Sequence, residues 1–432
     1  MSPRVFNIPA SAPFLPTLIG ALVNDKLGLG FPAPGDPLAL AQATLYLPTR
    51  RACRIARDIF LDTNKQQAAI LPRIVPLGHI DEDEIDFAQM AVSGGGDLDI
   101  EDTLRPFQRN IALAELILKW AKSQGMRAEG GAALVANSPA SAFRLAGDLA
   151  HLMDDMATRQ VPWDRLDSLV PADLDVYWQK TLAFLKIARE AWPQFLSENN
   201  LIEPAVRQNK LIAAEAARLE RSGAPVIAAG STGSIPATAG LLETIAKLPK
   251  GAVVLPGLDT DLDEDAWRAI GGKATTPDHP SHPTHPQFAM QALLRLIGIA
   301  RDAVQNLAPP QGRELLLSEA MRPAEQTERW HGRLHEIAPH IDMAMQKVAI
   351  IEAANAEEEA LAIAVALREA IEEKDKTAAL ITPDRALARR VLAALARWNI
   401  EADDSAGADL ADMPAGVFAR LVAETALGGL AP

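Results

Sequence analysis

The residues whose types and spacing could do chemistry are, first of all, arginines. Arg50, Arg51, Arg54 and Arg57 crowd one short segment just after Thr49, opposed locally only by Asp58. At helical spacing Arg50, Arg54 and Arg57 share a face, while Ile55, Ile59 and Phe60 can point inward. Arg385, Arg389 and Arg390 repeat the arrangement far along the chain. Guanidinium groups fork onto phosphate oxygens, and such contacts position a protein on nucleic acid without reading its sequence. The expected phosphate-contacting set is therefore Arg50, Arg51, Arg54, Arg385 and Arg389, tracking one strand if both clusters face a shared groove. The competing reading is two solvated helix faces.

Nucleotide chemistry is argued mainly by an absence. No Gly-x-x-x-x-Gly-Lys-[Ser/Thr] occurs, so no loop supplies both cradling amides and a phosphate-reaching lysine. After the first strand candidate, Pro9, Ala10, Ser11 and Ala12 stand where such a loop would sit, and proline removes amide donors. Gly230, Ser231, Thr232 and Gly233 lie between a strand and a helix pattern, where backbone amides could hold an anion. The bland alternative is a tight turn with Ser234 or a neighbour capping the helix. Gly28-Leu-Gly30-Phe-Pro-Ala33 matches a dinucleotide fingerprint only formally. It follows a helical pattern rather than a strand, and Pro32 and Pro34 spoil the helix start.

Metal chemistry finds little support. His279, His282 and His285 recur every third residue in a proline-rich loop. In polyproline geometry they would lie roughly 9 Å apart, too far for one ion. His331 and His335 have ligand-pair spacing, but Pro339 and His340 break the zinc pattern. Asp259, Asp261, Asp263 and Asp265 resemble a calcium loop for five residues. Glu264 replaces its glycine and Ile270 its bidentate glutamate, so this run and Asp81–Glu84 read as solvated acidic loops. Cys53 is the single cysteine, which excludes an internal disulfide or thiolate metal site and points to a reducing, cytoplasmic setting.

The elements that must position these groups follow from the hydrophobic pattern. The 432 residues are 48% hydrophobic and 23% charged, which is globular composition. At about 100–200 residues per domain, the length allows several domains. A formal charge of −14 argues against a generally nucleic-acid-coating or membrane-binding surface but leaves room for a local basic track. Prolines 3, 9, 13 and 16 interrupt any amino-terminal signal sequence, and no apolar run reaches membrane-spanning length. A soluble, cytoplasmic protein with no membrane partner is expected.

Short apolar runs at Val5–Ile8, Thr44–Leu47, Arg73–Val75, Pro225–Ala229, Ala252–Leu255, Leu315–Leu317, Val348–Ile351 and Ala378–Ile381 read as strands between helical segments, the pattern of a parallel α/β sheet. Thr103–Lys122, Ser141–Thr158 and Leu174–Asn199 read as amphipathic helices with no strand between them, a helical insertion. The tail from Ala426 offers no closing strand or helix, so the last unit is expected to be incomplete.

An ordered series of segments then resembles one family. They are Val5-Phe-Asn-Ile-Pro-Ala, Tyr46-Leu-Pro-Thr-Arg-Arg, Leu71-Pro-Arg-Ile-Val-Pro-Leu-Gly, Ala229-Gly-Ser-Thr-Gly-Ser-Ile-Pro-Ala-Thr, Val254-Leu-Pro-Gly-Leu-Asp, Glu319-Ala-Met-Arg-Pro-Ala-Glu, Thr382-Pro-Asp-Arg-Ala-Leu-Ala-Arg-Arg-Val and Asp403-Asp-Ser-Ala-Gly. Together they resemble the AddB family, the second subunit of bacterial AddAB helicase–nucleases, in its alphaproteobacterial branch and over the amino-terminal helicase-like part.

The resemblance implies a superfamily 1 helicase-like fold of two RecA-like lobes. The first would comprise residues 1–103 and 205–312 with an inactivated ATP site, the helical insertion 104–204, and a truncated second lobe 313–432. It implies that Pro48–Arg51 contact single-stranded DNA and that Arg322 occupies a nucleotide-facing position. It further implies an AddA-type partner, a substrate of single-stranded and broken-end DNA, and a role in double-strand break repair and recombination. Val226–Gly230 would sit near a Walker B strand that lacks its acidic pair. The family's iron–sulfur cluster and nuclease metal belong to a carboxy-terminal region absent here, so no cofactor and no nuclease or ATPase activity is expected of this chain. The alternative is an independent nucleotide- or phosphate-binding α/β enzyme using the Gly230–Ser234 turn, and a third reading is a purely structural interaction module.

Overall fold

The computed structural model describes residues 3–32, 38–63, 70–77, 100–123, 138–168, 181–182, 184–272, 281–374, 376–407 and 410–428. Ala33, Asp81–Glu84, His279, most of 169–183 and the last four residues of the tail lie outside them. Two compact units divide the chain, residues 1–345 and 346–432. The division falls well after the expected boundary at 312/313.

The strands of the larger unit are four to six residues long, save one of two, and nearly every side chain in them is buried. The elements run β1 (Val5–Ile8), α1 (Phe14–Val23), β2 (Thr44–Leu47), α2 (Arg50–Thr63) and β3 (Arg73–Pro76) before the chain turns wholly helical. The helices α3 (Pro106–Ser123), α4 (Pro139–Thr158), α5 (Trp192–Glu198) and α6 (Pro204–Ser222) follow. Then come β4 (Val226–Ala229), α7 (Pro236–Lys247), β5 (Gly251–Pro256), α8 (Glu264–Gly271), α9 (Phe288–Ile297) and the two-residue β6 (Gln305–Asn306). Helices α10 (Arg313–Ala320) and α11 (Trp330–Met345) close the unit.

The six strands form one sheet in the order β3-β2-β4-β5-β1-β6, and every pairing is parallel. Side chains alternate across a strand, so each strand feeds two cores. Val5, Tyr46, Val226, Ala228, Val253 and Leu255 pack with α6, α7, α8 and α9 on one face. Phe6, Ile8, Leu45, Leu47, Ile227, Ala229 and Val254 pack with α1 and α2 on the other. This is an α/β protein with helices on both faces of a parallel sheet. All its strand carboxyl ends share one rim, which carries the turns after β1, β2, β4 and β5.

Among the described residues no strand of this sheet lies between Asp102 and Leu201, which are joined to each other by an isolated parallel bridge. The bridge brings the entry and exit of the helical segment side by side. That segment has its own core of Leu113, Ile117, Ala146, Leu149, Met153 and Trp192.

Three expected strands are absent. Leu315–Leu317 is part of α10. A short apolar run does not distinguish strand from helix, and here Gly312, with φ near +94°, and the Glu314 carboxylate on the Gly312 amide start a helix. Val348–Ile351 and Ala378–Ile381 are described without strand pairing, and Ile350 and Ile381 are largely exposed. In this smaller unit α12 (Ala356–Glu372) and α13 (Arg385–Ala396) pack through Ala360, Ala364, Leu387, Val391 and Leu395. A final helix, α14 (Pro414–Gly428), buries no residue. Among the described residues no helix is long and apolar enough to cross a membrane.

One buried polar cluster ties β2 to α6. The Tyr46 hydroxyl donates to Glu215, whose carboxylate takes Arg218 Nε at 2.6 Å and Nη2 at 2.8 Å. Burial and the Glu215 charge push the Tyr46 hydroxyl far above its ordinary pKa, so it stays a donor. Burial would raise the Glu215 carboxyl, but the Arg218 and Tyr46 hydrogen bonds outweigh it and hold it low. Glu215→Ala leaves Tyr46 and Arg218 without an acceptor and should destabilise the protein by about 3–5 kcal/mol. Tyr46→Phe should cost about 1–3 kcal/mol. Urea denaturation reads both; losses below ~0.5 kcal/mol would show that the cluster does not hold the two elements together.

Candidate functional site

The rim at the strand carboxyl ends holds most of the residues singled out from the sequence. In open α/β sheets this is the edge where ligands bind. The turn after β1 is where a phosphate loop would sit. Pro9 is buried, Ala12 N donates to Pro9 O at 3.0 Å, and α1 begins after Pro13 with no side-chain cap. Pro9, Pro13 and Pro16 carry no amide hydrogen, which removes three donors from the stretch a phosphate would need.

A donor that remains there is already taken. Ser11 N donates to Glu314 Oε1 at 3.2 Å, the Ser11 hydroxyl donates to the same oxygen, and Gly312 N reaches Glu314 Oε2 at 3.1 Å. Burial favours the protonated Glu314 carboxyl, but the Ser11 hydroxyl and neighbouring amides hold it below the usual carboxylate range. Asp261 is nearby, pushed upward by burial and by the Asp259 and Glu314 charges. A carboxylate thus occupies the donors where a nucleotide phosphate would be sought, with two more negative groups beside it.

Gly257 explains how tightly this turn is packed. Its φ of +70° suits glycine, its amide donates to Ile8 O at 2.9 Å, and an added β-carbon would meet Ala10 at 3.4 Å. Asn7 fastens the same corner, accepting from Leu258 N at 2.8 Å and donating to Asn306 Oδ1 at 2.8 Å.

The second glycine turn is similarly closed. Gly230, at φ +80°, faces Phe14 and Pro48, where a β-carbon would come within 3.2 Å of each. Gly230 N donates to Val254 O at 3.0 Å and Gly233 N to Ser231 Oγ at 3.3 Å. Those two amides are committed within the protein. The α7 cap residue is Ile235, without a side-chain hydrogen bond, rather than Ser234.

Arg322 is turned wholly inward. Its side chain is 0% exposed, with Nε and Nη2 on Glu319 at 2.9 and 2.7 Å and Nη1 on Asp263 at 2.5 Å. Asp263 also caps α8 through Ala266 N and accepts Arg329 at 3.0 Å. The run expected to be a solvated acidic loop is instead a structural clasp: Asp259 Oδ1 accepts from Asp261 N and Leu262 N, both at 2.9 Å. The histidine loop joins this clasp. His282 Nε2 lies 3.1 Å from Glu325, and His285 Nε2 lies 2.7 Å from Met321 O.

The arginines after β2 are placed differently. Thr49 accepts from Ala52 N at 3.1 Å, so its hydroxyl starts α2. Arg50, Arg51 and Arg54 are exposed in the first turns of that helix, and among the described residues no carboxylate pairs with Arg50 or Arg54. The helix has no acidic residue in its first turn. Cations at a helix N-terminus oppose the macrodipole, so the arrangement concentrates positive potential on the rim. The inward stripe is Cys53, Ala56 and Phe60 rather than one including Ile55, which is 40% exposed. Arg57 bonds Ile74 O at 3.3 Å.

In the smaller unit, Arg385 is bound by Asp404 at 2.7 and 3.1 Å and by Gly407 O. Arg390 pairs with Glu357 at 3.2 Å, and Arg389 is exposed with Nε on Arg385 O. The second cluster is therefore largely engaged internally, which sequence spacing alone did not reveal. Glu314, which sequence reasoning passed over, carries no local motif that marks it, and Asp263 reads from sequence only as part of a solvated acidic loop.

No protein-family model matches the chain, and no curated protein matches it.

Asp263 and Glu314 both have folded-state pKa values below the ordinary range; for Asp263, burial opposes and the Ala266 amide and Arg322 prevail. Their stabilisation is complete above the unfolded pKa values, about 4, and is lost as pH falls through the folded ones. Stability should thus fall from about pH 5 to pH 3, less steeply in Asp263→Asn and Glu314→Gln; parallel profiles would remove these two groups from the acid limb. Arg322→Ala should destabilise by about 3–5 kcal/mol, because it removes a fully buried guanidinium shared by Glu319 and Asp263 and leaves them only Arg333 and Arg329 as cationic partners. Arg322→Lys should restore only part, since an ammonium cannot match the fork.

Proposed function

We propose that this chain is a DNA-binding and scaffolding subunit without a motor of its own, of the AddAB type. It acts in double-strand break repair and recombination beside an AddA-type helicase–nuclease subunit, on single-stranded and broken-end DNA. The observation that carries the reading is the cluster Arg50, Arg51 and Arg54, exposed on the rim at the start of a helix with no acidic residue in its first turn. Guanidiniums there suit backbone phosphates.

Two further features support it. The strand order sets β5 between β1 and β4, so the Walker A-like and Walker B-like positions of a RecA-like lobe would share the rim. The Glu314 carboxylate on the Ser11 amide leaves such a lobe without a phosphate cradle. The proposed localisation is cytoplasmic.

Fluorescence anisotropy with a single-stranded oligonucleotide tests the reading. Log affinity should fall with log salt at about 0.7 per phosphate neutralised, and replacing Arg50, Arg51 and Arg54 by alanine should flatten that slope by roughly two units while weakening all sequences alike. An unchanged slope in the folded triple variant would place the DNA path elsewhere. ATP titrated into the protein should give no heat of binding; micromolar affinity, about −8 kcal/mol, would overturn the non-motor assignment.

A further inference from the structure

A cavity of about 480 Å³ opens between α8 and α9, lined by none of the residues used above for DNA. Its charged lining carries a cationic excess: Arg268, Arg295 and Arg301 face it against Glu264 and Asp302. Glu264 is spent on Arg268 at 3.2 Å and Arg301 at 3.5 Å. Arg301 lies over the Trp267 ring, 4.7 Å from its centroid, and also donates to Asp259 O at 3.3 Å. Arg295 is exposed and has no carboxylate partner among the described residues.

The floor holds the decisive group. Gln291 is 2% exposed, and its amide nitrogen donates to Trp267 O. Its Oε1 is buried with no hydrogen-bond partner. A buried acceptor left empty is costly, and this one lines a cavity. Gly271 shows what stands beside it. A β-carbon there would come within 2.3 Å of Gln291 Oε1 and within 2.4 and 2.5 Å of Arg295 Nη2 and Nη1. An empty acceptor and a fork of unpaired donors therefore overlie the same glycine, and only glycine leaves them room.

A ligand that satisfies both must present an N–H donor beside a nitrogen or oxygen acceptor. A negative charge on it suits a lining in which Arg268, held by Glu264 and Asp265, and Arg301, held by Glu264, stand beside unpaired Arg295. The edges of nucleobases have that donor–acceptor pairing, and a phosphate is the matching anion for arginine. The volume lies within the range of small-ligand sites. We propose that this cavity binds a nucleoside monophosphate unit, with the base edge on Gln291 Oε1 and Arg295 and the phosphate toward Arg268. The unit is either a free mononucleotide or the terminal nucleotide of a strand. The site does not rest on the arginine track of α2.

Calorimetric titration with deoxyadenosine monophosphate, deoxyadenosine and inorganic phosphate tests it on the full chain. The monophosphate should bind more tightly than either part alone. Arg295→Ala, at an exposed position, should weaken it at least tenfold, as should Gly271→Ala, which displaces the two flexible side-chain ends. The Arg50, Arg51 and Arg54 triple variant should bind it unchanged, which separates this site from the DNA track. A 5′-phosphorylated dinucleotide binding more tightly than the monophosphate identifies a strand end as the source; equal or weaker binding identifies the free nucleotide. Absence of monophosphate binding at millimolar concentration, equal binding of phosphate alone, or full affinity in folded Arg295→Ala would each overturn the proposal.

Discussion

A parallel sheet must be covered on both faces, and that requirement organises the larger unit. Strands four residues long have no polar face to offer water, so Leu45, Tyr46 and Leu47 are all buried, on alternating sides. Crossover helices supply the cover. Because every strand runs the same way, every strand-to-helix turn emerges on one rim. The rim's chemistry is then decided by a few residues per turn, while the core behind them is mostly aliphatic packing pinned by the Tyr46–Glu215–Arg218 cluster.

Two opposite electrostatic solutions sit along that rim. Around β1 and β5, carboxylates close the turns: Glu314 takes the Ser11 donors, and Asp263 gathers Arg322 and Arg329 while capping α8. Such groups contribute to stability because each carboxylate meets fixed donors in a partly desolvated setting. After β2 the balance reverses. Arg50 and Arg54 stand exposed at a helix N-terminus, an arrangement that costs rather than adds stability. A position held against its local electrostatic preference is where function is to be sought. The division also separates arginines by role. Arg322 is fully enclosed by acids, Arg385 is clamped by Asp404, and Arg50 is presented outward.

Much of the scaffold was legible from sequence. Val5–Ile8 and Thr44–Leu47 are strands with the bounds read from their apolar runs, and Arg73, Val226 and Gly251 begin strands within a residue of expectation. These runs are short, β-branched or aromatic, and ended by proline or glycine, so local preference and tertiary need agree. The same logic failed at Leu315–Leu317. A leucine run suits either state, and the Gly312 amide on the Glu314 carboxylate resolved it as a helix. It also failed at Gln305–Asn306, an edge strand whose two polar residues carry no strand signal.

Composition and pattern by themselves determined an α/β class, a helical segment after the third strand, the absence of a phosphate-binding lysine loop and the crowding of arginines after β2. Each of these depends on residues near one another in the chain, where spacing alone sets which side chains share a face. Only the tertiary structure decided that Glu314 would close the Ser11 turn from 303 residues away, that Arg322 would face Asp263 rather than a ligand, and that Gln291 would lie buried beside Arg295 with an empty acceptor. The physical reason is the range of the interactions. Hydrogen bonds and ion pairs act over a few ångströms, and no sequence period reports which distant segments the packing of two helical layers on one sheet will bring that close.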